Sequence, residues 1–177
     1  ESIIASFPQL FDKDRPNKTM AVPPVTLQLK EGVAPRYCKA RPVPLALQQR
    51  FKEHIDGLLA AGVLHRVPFS QWASPVVLVL KSSGDIRLCG DYKQGVNQAL
   101  EPLKYSIPLV QDIFAKLNGC TVFSRLDLSS AYNQLLLDPA SRKLTTISTP
   151  FGVFEYSVLP FGISTAPGIF QQTIDML

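Results

Sequence analysis

Two runs of β-forming residues, each folded back on itself by a glycine-bearing turn and set between helical stretches, restrict the folds open to this chain of 177 residues. The first run is Pro75-Val76-Val77-Leu78-Val79-Leu80. It passes through Lys81-Ser82-Ser83-Gly84-Asp85 and returns as the alternating Ile86-Arg87-Leu88-Cys89-Gly90-Asp91-Tyr92. The second joins residues 144–148 to residues 153–159 through Thr149-Pro150-Phe151-Gly152. Connections this short make antiparallel hairpins. Leu47, Phe51, Ile55, Leu58 and Leu59 share one helical face, with Gly62 placed as a left-handed cap. A second helix is signalled by Pro108, Leu109, Ile113, Phe114 and Leu117, stopping at Asn118-Gly119, and a third begins near Ser164 to Pro167. Residues 121–128 are apolar and β-rich and predict a central strand. The order of helix, hairpin, helix, strand, hairpin, helix contains no βαβ repeat, which predicts an α+β fold with a mainly antiparallel sheet.

Residues 1–44 stand apart. They hold much of the chain's proline (15 in all) and little periodicity, apart from the strand-like alternation of Val25-Thr26-Leu27-Gln28-Leu29. In Arg41-Pro42-Val43-Pro44 each residue before a proline is pushed out of the helical region, so the segment reads as an extended lead-in that wraps a core built elsewhere. An apolar share of 46% supports a packed core, and a charged share of 18% argues against wholesale disorder. No apolar run has the length of a membrane span, and the first residues lack the pattern of a secretory signal. The chain lacks an initiator Met and ends inside a helical pattern, which reads as a piece of something longer.

Cys38, Cys89 and Cys120 are odd in number, far apart and without a CxxC, which points to free buried thiols rather than a disulfide framework or a zinc site. His54 and His65 have no metal-site spacing and read as ordinary polar residues. A net charge of +4 permits a phosphate-bearing partner without demanding one.

Asp127, closing the apolar run 121–128, is the sharpest chemical signal. A carboxylate there is costly to bury unless a hard cation such as magnesium, which prefers oxygen ligands, offsets its charge; the alternative is that it caps the following turn. A phosphatase-like Asp-x-Asp is incomplete, because Ser129 holds the second position. Lys81 and Arg87 on the first hairpin could lie on phosphates, or be solvated surface cations. Tyr132 could abut a sugar ring or be a core aromatic with its hydroxyl satisfied. Leu159-Pro160-Phe161-Gly162 could set an aromatic and a bare backbone beside a flat substrate, or form a turn anchored by Phe161.

Taken in order, these pieces form a pattern. Phe123-Ser124-Arg125-Leu126-Asp127-Leu128-Ser129-Ser130-Ala131-Tyr132-Asn133-Gln134 and Leu159-Pro160-Phe161-Gly162-Ile163-Ser164-Thr165-Ala166-Pro167 resemble the reverse transcriptase of gypsy-type long-terminal-repeat retrotransposons. Trp72-Ala73-Ser74-Pro75-Val76-Val77 and Arg87-Leu88-Cys89-Gly90-Asp91-Tyr92-Lys93 resemble its fingers. Four blocks in one order are far more specific than any one of them. Lys93, where many relatives carry Arg, and the longer Gln94-Gly95-Val96-Asn97 depart from the pattern.

The resemblance implies a right-hand polymerase with an incomplete palm: residues 1–40 a lead-in, 41–105 fingers and 106–177 the first part of the palm. It implies RNA-directed DNA synthesis from dNTPs on an RNA or DNA template-primer, using two Mg2+ ions in the complete enzyme. Asp127 would be the first catalytic aspartate and, with the Leu128 carbonyl, a metal ligand. Lys81 and Arg87 would grip the triphosphate, and the amides of Ser130 and Ala131 would face the phosphates. Tyr132 would be the gate that excludes a 2′-hydroxyl, and Phe161 would lie beside the nucleotide. The resemblance further implies the remaining palm, thumb and RNase H of the same polyprotein as partners, and a place in cytoplasmic virus-like particles or the nucleus. Such an enzyme needs a Tyr-x-Asp-Asp hairpin. No adjacent Asp pair stands in this chain, so the expectation is that this segment alone is inactive. The competing reading is a non-catalytic retroelement remnant or a nucleic-acid-binding module.

Overall fold

The computed structural model describes residues 3–8, 19–80 and 86–177. Helix α1 (Leu45–Ala60) forms where the 3.6-residue period predicts it, and buries Phe51 and Ile55. Its end is set by Gly62 at φ +68°, a conformation cheap only for glycine, with the Gly62 and Val63 amides donating to the Leu59 and Leu58 carbonyls.

Strands β1 (Leu64–Val67), β2 (Ser74–Leu80), β3 (Ile86–Gly90), β4 (Ile147–Thr149) and β5 (Gly152–Tyr156) form one sheet in the order β1-β5-β4-β2-β3. Both expected hairpins are present. β2 pairs β3 from Val76 opposite Gly90 to Leu80 opposite Ile86, and β4 pairs β5 from Ile147 opposite Phe154 to Thr149 opposite Gly152. The two hairpins meet through a short parallel joint, Ser74 beside Ile147 and Pro75 beside Ser148, within an otherwise antiparallel sheet. Strand β1, unexpected from sequence, completes the sheet against β5. The sheet therefore draws strands from both sides of residue 106.

Short helices link the sheet to the rest. A 3-10 turn (Tyr92–Gln94) and α2 (Val96–Ala99) follow β3. Helix α3 spans Val110–Leu117, a second 3-10 turn spans Ala131–Gln134, and α4 spans Pro139–Leu144 with Asp138 as its N-cap. Helix α5 (Ala166–Met176) starts as expected beside Pro167. The core between sheet and helices contains Phe51, Ile55, Leu64, Leu135, Ile147 and Phe154, each essentially inaccessible. Among the described residues no helix is long and apolar enough to cross a membrane.

Residues 20–38 lie against this core through single bridges rather than a strand. The Met20 and Val25 amides donate to the Gln134 and Leu136 carbonyls, both at 2.7 Å, Lys30 to Ala99 at 2.9 Å and Cys38 to Ala73 at 2.8 Å. The Leu27 amide donates to the buried Ser141 hydroxyl at 2.7 Å.

Two expectations need correction. Residues 121–128 form no strand: Val122 and Leu126 are 86% and 85% exposed, and α3 before them buries nothing. A strand is stable only when a neighbour takes its amides and carbonyls, and the described residues offer 121–128 no such neighbour. The three cysteines are free, but Cys120 is exposed and Cys38 and Cys89 are only half-buried, so they are not core thiols.

Candidate active site

Three of the residues singled out from sequence meet. Arg87 lies on β3, Tyr132 in the second 3-10 turn, and Phe161 in the loop after β5. The Tyr132 and Phe161 rings are tilted at 45° with centroids 4.9 Å apart. Phe170 of α5 closes on Tyr132 edge-on at 5.6 Å, and the Arg87 guanidinium carbon stands 4.7 Å over the Phe161 ring. Ring edges and a cation against π-faces make such a cluster mutually attractive.

Local structure explains the convergence. Residues 135–137 run beside residues 157–159: the Leu137 amide donates to the Ser157 carbonyl at 2.9 Å and the Leu159 amide to the Leu135 carbonyl at 2.8 Å. That ladder delivers Tyr132 and Phe161 from chain segments almost thirty positions apart to the same end of the sheet. The loop carrying Phe161 turns at Gly162, whose φ is +99° and where an added Cβ would lie 2.8 Å from the Gly90 carbonyl oxygen and 3.2 Å from the Tyr92 ring. Glycine is required there on both counts. Tyr92 is itself fully enclosed; burial raises its phenol well above the ordinary value, and the hydroxyl donates to the Thr145 carbonyl at 3.0 Å.

Ser130 stands next to the cluster at φ +48°, ψ +48°, the one non-glycine residue with positive φ among the described residues. Its carbonyl accepts from the Asn133 amide at 2.8 Å, and the Gln134 side chain donates to the Ser129 carbonyl at 2.9 Å. This tight turn leaves Ser130 and Ala131 half-buried beside Tyr132. A left-handed serine costs roughly 1–2 kcal/mol and marks a site worth functional attention.

Asp127 lies five residues before Tyr132 and is exposed, as is Leu128. Its carboxylate takes no hydrogen bond or ion pair among the described residues, and the turn at Ser130 has no side-chain cap. The capping alternative therefore has no support. Hard oxygens at Asp127 and the Leu128 carbonyl suit a divalent cation, but among the described residues no three acidic, His or Cys side chains gather to hold one. Lys81 lies outside the described residues.

Sequence reasoning missed two supports. Arg41 pairs with Asp91, tying the segment ahead of α1 to the turn after β3. Asn97 hydrogen-bonds across 65 residues to the Phe161 loop. The only local signal was that Asp91 and Asn97 flank a Tyr-bearing turn; their partners are remote.

A five-stranded, mainly antiparallel sheet carries an Arg–Phe–Tyr cluster, with the exposed Asp127 five residues before its Tyr. Residues 79–177 match the family described as Reverse transcriptase (RNA-dependent DNA polymerase), and the chain belongs to it. It is 37% identical over 150 residues to Uncharacterized protein K02A2.6 of Caenorhabditis elegans, covering 84% of this chain and 12% of that protein. To the Transposon Tf2-3 polyprotein of Schizosaccharomyces pombe it is 36% identical over 136 residues, covering 77% of this chain and 10% of the polyprotein. The foamy viral protease-reverse transcriptase in complex with an RNA/DNA hybrid superposes with a TM-score of 0.78 at 20% identity, over 97% of this chain and 23% of that one, and so shares its fold. The chain thus spans about a tenth of the curated relatives it matches.

Proposed function

We propose that the protein carrying this chain is an RNA-directed DNA polymerase that extends a primer 3′-hydroxyl with dNTPs on an RNA or DNA template. The foamy viral relative bound to an RNA/DNA hybrid supports that class of partner. Residues 41–105 are its fingers, 106–177 part of its palm and 1–40 a lead-in. Because one sheet holds strands from both sides of residue 106, that division follows chain order rather than a break in packing. The remaining palm, thumb and RNase H of the polyprotein complete it.

The observation that carries this reading is the meeting of Arg87, Phe161 and Tyr132, five residues along the chain from an exposed Asp127 whose carboxylate takes no hydrogen bond or ion pair among the described residues. Phosphoryl transfer needs in-line placement and stabilisation of spreading negative charge rather than covalent help. Arg87, with Lys81, binds the triphosphate; the guanidinium can fork across two oxygens while its face stays on Phe161. The Ser130 and Ala131 amides, turned by the left-handed Ser130, point donors at the same phosphates. The Tyr132 ring, wedged between Phe161 and Phe170, fills the space a 2′-hydroxyl would need.

Asp127 and the Leu128 carbonyl are this chain's share of the magnesium ligands, in a site of two ions in the complete enzyme. When bound, the cations neutralise charge on the attacking and leaving oxygens. One carboxylate does not hold them, so this segment alone does not turn over.

The experiment is dNTP incorporation on a primed RNA template with Mg2+ by the longer protein containing this chain, compared with its Asp127→Asn form. Loss of about 100-fold or more is expected, the scale for removing a group that stabilises developing charge. Undiminished synthesis by Asp127→Asn would end the assignment.

A further inference from the structure

We infer that Asn97 is a positioning residue: it clamps the Phe161 loop, and through Phe161 it sets the discrimination between deoxyribo- and ribonucleotides. The inference rests on the polymerase reading above and adds to it a residue that acts through Phe161.

Both ends of the Asn97 amide are committed to one loop. Nδ2 donates to the Gly162 carbonyl at 2.8 Å, and Oδ1 accepts from the Ser164 amide at 2.9 Å. The two bonds fix which way the amide faces, since only a side chain with one donor and one acceptor satisfies both. They bracket Ile163, which is 3% exposed and anchors the loop to the core from the other side. The fingers press on the same point: Gly162 sits against the Gly90 carbonyl and the Tyr92 ring with no room for a side chain. Helix α2, the end of β3 and the buried Ile163 therefore hold residues 162–164 from three directions, and Phe161 projects from that fixed base.

Phe161 has less support of its own. It is half-buried, and its ring is contacted by the Arg87 guanidinium and the Tyr132 ring. A shift of the loop therefore moves the surface on which Tyr132 rests. Tyr132 excludes a ribose only if it cannot yield, so a loosened backing ring weakens selection more than it weakens synthesis. Asn97 is half-buried and the Gly162 and Ser164 it binds are exposed, so water replaces the lost bonds and the fold survives the change.

The test measures kcat/KM for dNTP and for the matching rNTP in the longer protein containing this chain, for the parent and for Asn97→Ala, Asn97→Asp and Asp127→Asn. In Asn97→Ala the dNTP-to-rNTP ratio is expected to fall roughly 10- to 100-fold, the range over which misplacement of about 1 Å acts. Asn97→Asp keeps the acceptor for the Ser164 amide but faces the Gly162 carbonyl with a second acceptor, so its ratio falls to a similar or intermediate extent. Amide exchange at Ser164, read by mass spectrometry, should quicken in Asn97→Ala and stay near the parent rate in Asn97→Asp. A purely structural Asn97 would lower both sugars' rates together; an unchanged ratio in Asn97→Ala, or in Asn97→Asp should the alanine form not fold, overturns the inference. If Asp127→Asn synthesises as well as the parent, the polymerase reading fails instead; Asp127-dependent synthesis with an unmoved ratio removes Asn97 alone.

Discussion

Arg87 and Phe161 face each other across the junction between the first hairpin and the loop after the second, the guanidinium carbon 4.7 Å from the ring centre. A cation on a ring face at that distance is worth about 0.5–1 kcal/mol where water has access. A double-mutant cycle with Arg87→Ala and Phe161→Leu, read by urea unfolding, should give a coupling energy of that size. High salt should change it little, because the attraction is short-ranged and partly dispersive. A coupling indistinguishable from zero would mean that the two side chains are neighbours without mutual stabilisation.

The lead-in is fastened by a hydroxyl. Ser141 is wholly buried and its Oγ accepts from the Leu27 amide at 2.7 Å, while its own amide donates to Asp138 at 2.7 Å. Ser141→Ala strands a buried backbone donor, which costs about 1–3 kcal/mol. The expected result is a lower midpoint of unfolding and faster proteolysis ahead of Leu27. Ser141→Ala with an unchanged midpoint would show that the strap is held by its other bridges alone.

Asp138 makes the fold acid-sensitive. The Thr26 hydroxyl and then the Ser141 amide hold its carboxyl below the ordinary carboxylate range. A group whose folded value is depressed binds its proton more readily when unfolded, so its stabilisation is present above the unfolded value, about 3.9, and is lost as pH falls through the lower folded value. Unfolding midpoints measured from about pH 6 down to about pH 3 should fall more steeply for the parent than for Asp138→Asn, which keeps a good N-cap without the titration. Asp138→Ala should cost about 1 kcal/mol at neutral pH, the usual worth of such a cap. Parallel pH profiles for the parent and Asp138→Asn would contradict this.

Local patterns in the sequence carried the elements that neighbours in the chain determine. Phe51 and Ile55 one turn apart, Gly62 past their helix, and Gly152 between two β-rich runs each act over a few residues, and each formed as expected. Strand β1 was not legible, because Leu64-His65-Arg66-Val67 becomes a strand only by pairing with β5 some ninety positions later. Helix α4 could have been found, since Asp138-Pro139 is an N-cap followed by a first-turn proline. Residues 121–128 failed in the opposite direction: their apolar pattern states a preference for burial, and a ladder partner is a separate requirement. At the site, Arg87, Tyr132 and Phe161 were legible as motif members, whereas Asn97 was not, because its role exists only in contact with Gly162 and Ser164.

Tyr132 offers the most direct reading of the site. Its ring is held at 4.9 Å from Phe161 and 5.6 Å from Phe170, and its hydroxyl has no partner among the described residues. On the proposed reading, exclusion of a 2′-hydroxyl comes from the bulk of the ring, not from a hydrogen bond. Tyr132→Phe keeps that bulk and both ring contacts, so its dNTP-to-rNTP ratio of kcat/KM should stay within a few-fold of the parent, while Tyr132→Ala opens the space and should lower the ratio by about 100-fold, or roughly 2.7 kcal/mol of discrimination. The alanine form also gives up two aromatic contacts of about 0.5–1.5 kcal/mol each, so the comparison is made as a ratio between sugars in the same preparation, where loss of folded protein cancels. A ratio that fell equally in Tyr132→Phe and Tyr132→Ala would assign the selection to the hydroxyl, and one that fell in neither would move the gate elsewhere in the cluster.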